Sequence, residues 1–154
     1  MSVLDEMTTL ARKSALDRPT ILVADDHGPM LSNLVRLLST EYDVVAALLD
    51  GPAAVAAVVR HAPDLVVLDI AMPGMGGIAA ARLLKRQGSA SKFVFITMHN
   101  DPLYVQESLA LGTVGFVVKD RLALDLLVAV REVLADRLFV SPSVERTKNV
   151  SGKY

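Results

Sequence analysis

The chain has 154 residues, a hydrophobic share of 52%, no cysteine and a formal net charge of −1. That length accommodates one domain with short extensions, and the apolar share supports a sizeable core. The lack of cysteine excludes disulfides, thiol catalysis and cysteine-ligated metal sites, and the balanced charge provides no general attraction to nucleic acid or anionic lipid.

Asp5 and Glu6 stand where a secretory signal needs an apolar core, and no apolar stretch approaches the roughly 18 residues of a membrane span. The expectation is a soluble, cytoplasmic chain with no membrane partner. Residues 1–18 read as an N-terminal extension, helix-compatible at Leu4, Met7, Leu10 and Ala11. Pro19 restarts the chain as a strand, Ile21-Leu22-Val23-Ala24, which runs into Asp25-Asp26. Met30, Leu31, Leu34, Leu37 and Leu38 then recur at helical spacing, and Val44 to Ala47 follow as a second strand. Gly51-Pro52 opens a helix through about His61, and Pro63 precedes a strand, Leu65-Val66-Val67-Leu68, ending at Asp69. A turn-rich loop from Met72 to Gly77 leads to the helix of Ala80, Leu83 and Leu84, which Gly88 stops. The strand Phe93-Val94-Phe95-Ile96 ends at Thr97. Asp101-Pro102 starts a helix that Gly112 ends, and the strand Phe116-Val117-Val118 ends at Lys119. A last helix carries Leu124, Leu127, Val128, Arg131 and Leu134.

Continuous Val/Ile/Leu runs of this length are what strands buried on both faces look like, and intervening helices supply the crossovers of parallel pairing. Five strands alternating with five helices predict an α/β, doubly wound (βα)5 flavodoxin-like domain with a parallel five-stranded sheet of order 2-1-3-4-5. Its crossovers should be right-handed. The domain is expected over 19–138, with a polar C-terminal tail over 139–154.

In that fold Asp25, Asp26, Asp69, Thr97 and Lys119 converge on one sheet edge, in the crevice where open α/β sheets bind ligands. Three crowded carboxylates raise one another's pKa unless a cation joins them, and Mg²⁺, which takes oxygen ligands and accompanies phosphates, is the simple remedy. Asp26 and Asp69 are the expected direct ligands. A carboxylate can be the nucleophile toward a phosphoryl group, and Asp69, alone after the central strand, is the candidate. Thr97 and Lys119 are suited to partner the charge on the transferring group.

Asp25-Asp26, Asp69 with Pro73 four residues on, Thr97, and Lys119 twenty-two residues later resemble the receiver domain of two-component response regulators. Thr97-Met98-His99, Gly115 to Asp120 and Val140-Ser141-Pro142 resemble its NarL/FixJ-type branch. The resemblance covers roughly Pro19 to Leu138. It implies that Asp69 takes phosphate from a sensor histidine kinase or a phosphotransfer protein, and that Asp26, Asp69 and the backbone carbonyl of Ala71 bind Mg²⁺ directly while Asp25 acts through water. It also implies a switch pair, Thr97 and Phe116, that reshapes the face of the fourth helix, fifth strand and fifth helix for a downstream protein or a second copy of the chain. Three departures stand out: Met98 replaces a small residue beside the pocket, Gly76 replaces an aspartate, and the chain stops where a helix-turn-helix domain usually follows.

Singly, each of these residues has a plainer reading. A strand-end aspartate is usually a helix cap, and Phe116 alone reads as core. His27 reads as solvent-facing, His61 as a helix-end residue and His99 as a rim residue, while Gly74, Gly76 and Gly77 read as turn glycines permitting positive φ. Joint placement carries the functional reading, a phosphorylatable receiver rather than an enzyme acting on a metabolite. The alternatives are a Mg²⁺-dependent phosphohydrolase, whose general acid would fall at Ala71, a receiver fragment of a longer DNA-binding regulator, and an interaction module without chemistry. With few basic residues in its tail (Arg146, Lys148, Lys153), the chain alone is not expected to bind DNA.

Overall fold

The computed structural model describes residues 18–98 and 101–142. Residues 1–17 of the expected extension, His99 and the tail from Ser143 lie outside the described residues. The elements alternate as predicted: β1 (Thr20–Ala24), α1 (Gly28–Leu38), β2 (Asp43–Leu48), α2 (Gly51–His61), β3 (Leu65–Asp69), α3 (Gly77–Arg86), β4 (Lys92–Thr97), α4 (Pro102–Leu109), β5 (Val114–Val118), a 3-10 turn (Lys119–Arg121), α5 (Leu122–Leu134) and β6 (Phe139–Val140). All pairings are parallel, in the order β2-β1-β3-β4-β5-β6.

The predicted order 2-1-3-4-5 is present, and the five-strand count is corrected to six. Two residues have no period to read, so β6 is invisible in the sequence. It forms because Gly115 and Phe116 pair with Phe139 and Val140, and the Ser141 amide then donates to the Phe116 carbonyl at 2.9 Å.

Local chemistry explains where the helices begin and end. Asp50 caps α2 by accepting from the Ala53 amide at 2.7 Å, and Asp101 caps α4 by accepting from Leu103 at 2.9 Å, with Pro102 at the first turn. Gly88, at φ +84°, follows α3 in a conformation that disfavours any side chain. The central strands β1, β3, β4 and β5 are buried almost throughout. One face of the sheet packs Ala54, Val58, Ala80, Leu84 and Val105 of α2, α3 and α4; the other packs Leu31, Leu34 and Leu38 of α1 with Leu126, Val130 and Val133 of α5. With helices on both faces, the ends of the central strands stay open, and the candidate groups lie at one of these.

Candidate functional site

Register aligns the polar strand ends. Ala24 pairs with Leu68, so Asp25 and Asp69 emerge side by side from β1 and β3. Asp69 pairs with Ile96, and Thr97 with Val118, which sets Thr97 and Lys119 along the same edge. Asp25, Asp26 and Asp69 each present a carboxylate oxygen within 4.8 Å of the others. The Lys119 ammonium lies between two of them, 2.8 Å from Asp25 Oδ2 and 3.2 Å from Asp69 Oδ2. Asp25, Asp69 and Thr97 are buried, whereas Asp26 is exposed and opens the cluster to solvent.

Burial pushes the Asp69 carboxyl up from 3.8 to about 6, and the neighbouring Asp25 charge adds to it. Lys119 and the Ala71 amide, which donates to Asp69 Oδ1 at 3.2 Å, oppose the shift without cancelling it. Burial would lower the Lys119 pKa, but its approach to Asp25 and its bond to Asp69 outweigh burial and raise it. Lys119 therefore stays charged, and one cation is left to serve three carboxylates.

Asp25 Oδ1 accepts from the His27 amide at 2.9 Å. Its Oδ2 is buried and ion-paired with the Lys119 ammonium at 2.8 Å, the contact that Asp69 shares. Three carboxylates sharing one ammonium are a hard, oxygen-only donor set with negative charge to spare, which fits Mg²⁺.

Thr97 lies on the same sheet face as Phe95, two residues before it, and Phe95 pairs with Phe116. Thr97 and Phe116 therefore share one face, and Phe116 is fully buried there, already inside. Met98 is 66% exposed. His61 is the exposed last residue of α2, as expected. His27 is exposed as expected, but it also caps α1, its Nδ1 accepting from the Met30 amide at 3.3 Å.

The reading of the loop glycines needs correction. Only Gly74 has positive φ, +77°. Gly76 has φ −72°, and Gly77 begins α3. They are required by close approach instead: a Cβ on Gly77 would sit 2.4 Å from the Asp69 carbonyl oxygen, and one on Gly76 2.5 Å from that of Ile70. The bare α3 start presses on the backbone that carries the Asp69 carboxylate, a constraint with no local sequence signal.

The response regulator receiver domain family matches residues 21–131. The chain is 32% identical over 130 residues to the transcriptional regulatory protein NarL of Mycobacterium tuberculosis, a match covering 83% of this chain. The chain spans 60% of that relative's length. Among solved structures, the NarL signal receiver domain from Mycobacterium tuberculosis superposes with a TM-score of 0.72 at 32% identity, covering 78% of this chain and 98% of that one. A two-component response regulator of the LuxR family from an Aurantimonas species superposes with a TM-score of 0.83 at 28% identity, covering 89% and 99%.

Proposed function

The chain belongs to the response regulator receiver family, and from that premise we propose that Asp69 is its phosphoacceptor, charged by a sensor histidine kinase or a phosphotransfer protein. The observation that carries this reading is the Lys119 ammonium held 3.2 Å from Asp69 and 2.8 Å from Asp25, beside the exposed Asp26. A carboxylate oxygen of Asp69 attacks phosphorus, and the donor's bond to phosphorus breaks with its electron pair leaving on the donor. Lys119 and the Thr97 hydroxyl partner the charge on the equatorial oxygens. Asp26, Asp69 and the Ala71 carbonyl would hold Mg²⁺ directly and Asp25 through water, and the bound ion supplies the positive charge that lets an anionic donor approach.

The product is a changed surface. A phosphoryl group on Asp69 draws on the Thr97 hydroxyl, and Thr97 shares its face with the buried Phe116, so occupancy of the site biases the packing of α4 and β5. The readers of that surface are a downstream protein or a second copy of the chain, and the compartment is the cytoplasm. No helix among the described residues is long and apolar enough to cross a membrane. The described helices all belong to the layers packed on the sheet. A transcriptional output, as the relatives' names indicate for them, would require a domain beyond these residues.

Intact mass after incubation with acetyl phosphate tests the reading. One added phosphate is expected with Mg²⁺, none with EDTA, and none for Asp69→Asn. A hydroxylamine-labile adduct persisting in Asp69→Asn would overturn it.

A further inference from the structure

Behind the acidic cluster lies a second buried polar group that the phosphoryl chemistry does not use. Ser141 is fully buried one residue past β6. Its hydroxyl accepts from the Val118 amide at 3.1 Å and donates to Asp125 Oδ2 at 2.8 Å. The hydroxyl thus extends the β5–β6 ladder one step beyond the last strand residue, and Pro142, which follows, has no amide to continue it. Asp125, on the first turn of α5 and also buried, receives Arg121 through Nε at 2.7 Å on Oδ2 and through Nη2 at 3.3 Å on Oδ1.

The consequence for Lys119 follows from the order of the residues. Val118 is tied to Ser141, Arg121 is tied to Asp125, and Ser141 and Asp125 are tied to each other. Lys119 stands between the two anchored residues. Its main chain is therefore held through the Val118 amide on one side, and on the other the Arg121 guanidinium ties the turn to the same buried carboxylate that the Ser141 hydroxyl meets. A long flexible ammonium holds a fixed place between two aspartates only if its backbone origin is fixed.

We propose that Ser141 and Asp125 are positioning residues for Lys119, and that the segment leaving the domain at Ser141–Pro142 is thereby coupled to the phosphoacceptor site. The proposal rests on the reading of Asp69 as phosphoacceptor with Lys119 as its cation. By reciprocity, whatever pulls Ser141 out of its place loosens Lys119, and a phosphoryl group on Asp69 that draws on Lys119 alters the hold on Ser141.

A double-mutant cycle on the full chain tests it, reading phosphate uptake from acetyl phosphate by intact mass at saturating Mg²⁺, Mg²⁺ affinity by titration, and folded fraction by circular dichroism. Ser141→Ala is expected to slow uptake about tenfold, since an ångström of misplacement costs up to about 100-fold. Uptake is compared at saturating Mg²⁺, so a change in Mg²⁺ affinity, which the titration reads separately, does not enter the rate. Asp125→Asn, which keeps the shape and loses the charge, should slow uptake in the same direction. In a Lys119→Ala background Ser141→Ala should slow uptake no further, while any loss of thermal stability persists. Full-rate uptake by folded Ser141→Ala and Asp125→Asn, or additive losses in the Lys119→Ala background, would overturn the positioning role. If Lys119→Ala itself takes up phosphate at the wild-type rate, the underlying assignment of the site fails instead.

Discussion

The two ends of the sheet carry similar residues to opposite effect. At one end Asp25, Asp69 and Lys119 are buried together, with both carboxylates sharing the one ammonium and the Asp69 pKa pushed up to about 6. At the other, Asp64 Oδ2 accepts from both the amide and hydroxyl of Thr20, at 2.8 and 3.1 Å, and half-buried Lys92 donates to the Leu134 carbonyl and pairs with Asp136 at 2.8 Å. A cavity of about 710 Å³ opens at that second end, lined by Asp64, Ser89, Ser91 and Lys92 among others. Both of its serines are engaged: the Ser91 hydroxyl donates to the Pro63 carbonyl at 2.6 Å, and Ser89 accepts from the Ser91 amide at 3.2 Å. Neither charge nor cavity size distinguishes the acidic end. Burial with bonding capacity left over does.

The sharpest break comes from the two aspartates. Asp69→Asn should abolish phosphate uptake yet stabilise the metal-free protein, because a buried, crowded charge is removed. The sign follows from the raised pKa: the folded state binds the proton more tightly than the unfolded state, so this group's contribution to stability falls as pH rises from 3.8 to about 6 and is then level. Urea melts in EDTA should show the variant ahead of wild type by on the order of 1–3 kcal/mol at pH 7.5 and converging with it near pH 4. A wild type more stable than the variant at pH 7.5 would mean that Lys119 fully compensates the buried charge.

The two lysines come next. Lys119→Ala leaves buried Asp25 without its cation and should cost about 3 kcal/mol at neutral pH while slowing phosphate uptake roughly 100-fold. Lys92→Ala removes a pair exposed at 32% and 78% and should cost less than about 1 kcal/mol, with uptake unchanged. Equal costs in thermal melts would erase the distinction between the ends.

Two glycines sharpen it further. Gly77→Ala forces a Cβ against the Asp69 carbonyl and should cost about 1–3 kcal/mol while slowing uptake, whereas Gly88→Ala, strained by its φ of +84°, should cost about 1 kcal/mol with no effect on uptake. The smallest effect is expected at Asp64→Asn. Its partners are exposed and the amide oxygen still accepts, so the loss should be about 0.5 kcal/mol.

Much of this was legible in the chain. Runs such as Leu65 to Leu68 announce a doubly buried strand because their apolar continuity is itself the physical requirement, and Gly51-Pro52 and Asp101-Pro102 mark helix starts through chemistry confined to the first turn. The acidic cluster was legible for the same reason: strand ends in a parallel sheet share an edge, so residue order along the chain places Asp25, Asp26, Asp69, Thr97 and Lys119 together.

By itself, then, the sequence determined the alternation of elements, the order of the central strands and the identity of the residues that meet at the acidic edge, all of which follow from local periodicity and parallel topology. Only the tertiary structure decided which of those charges is buried, which two carboxylates share the ammonium, why Gly76 and Gly77 must be bare, and that Phe139 to Ser141 close onto β5 and grip the chain around Lys119. Those features depend on approach between segments far apart in the chain, down to tenths of an ångström. No periodicity records such distances, because a glycine pressed on a carbonyl and a glycine in an open turn are the same letter.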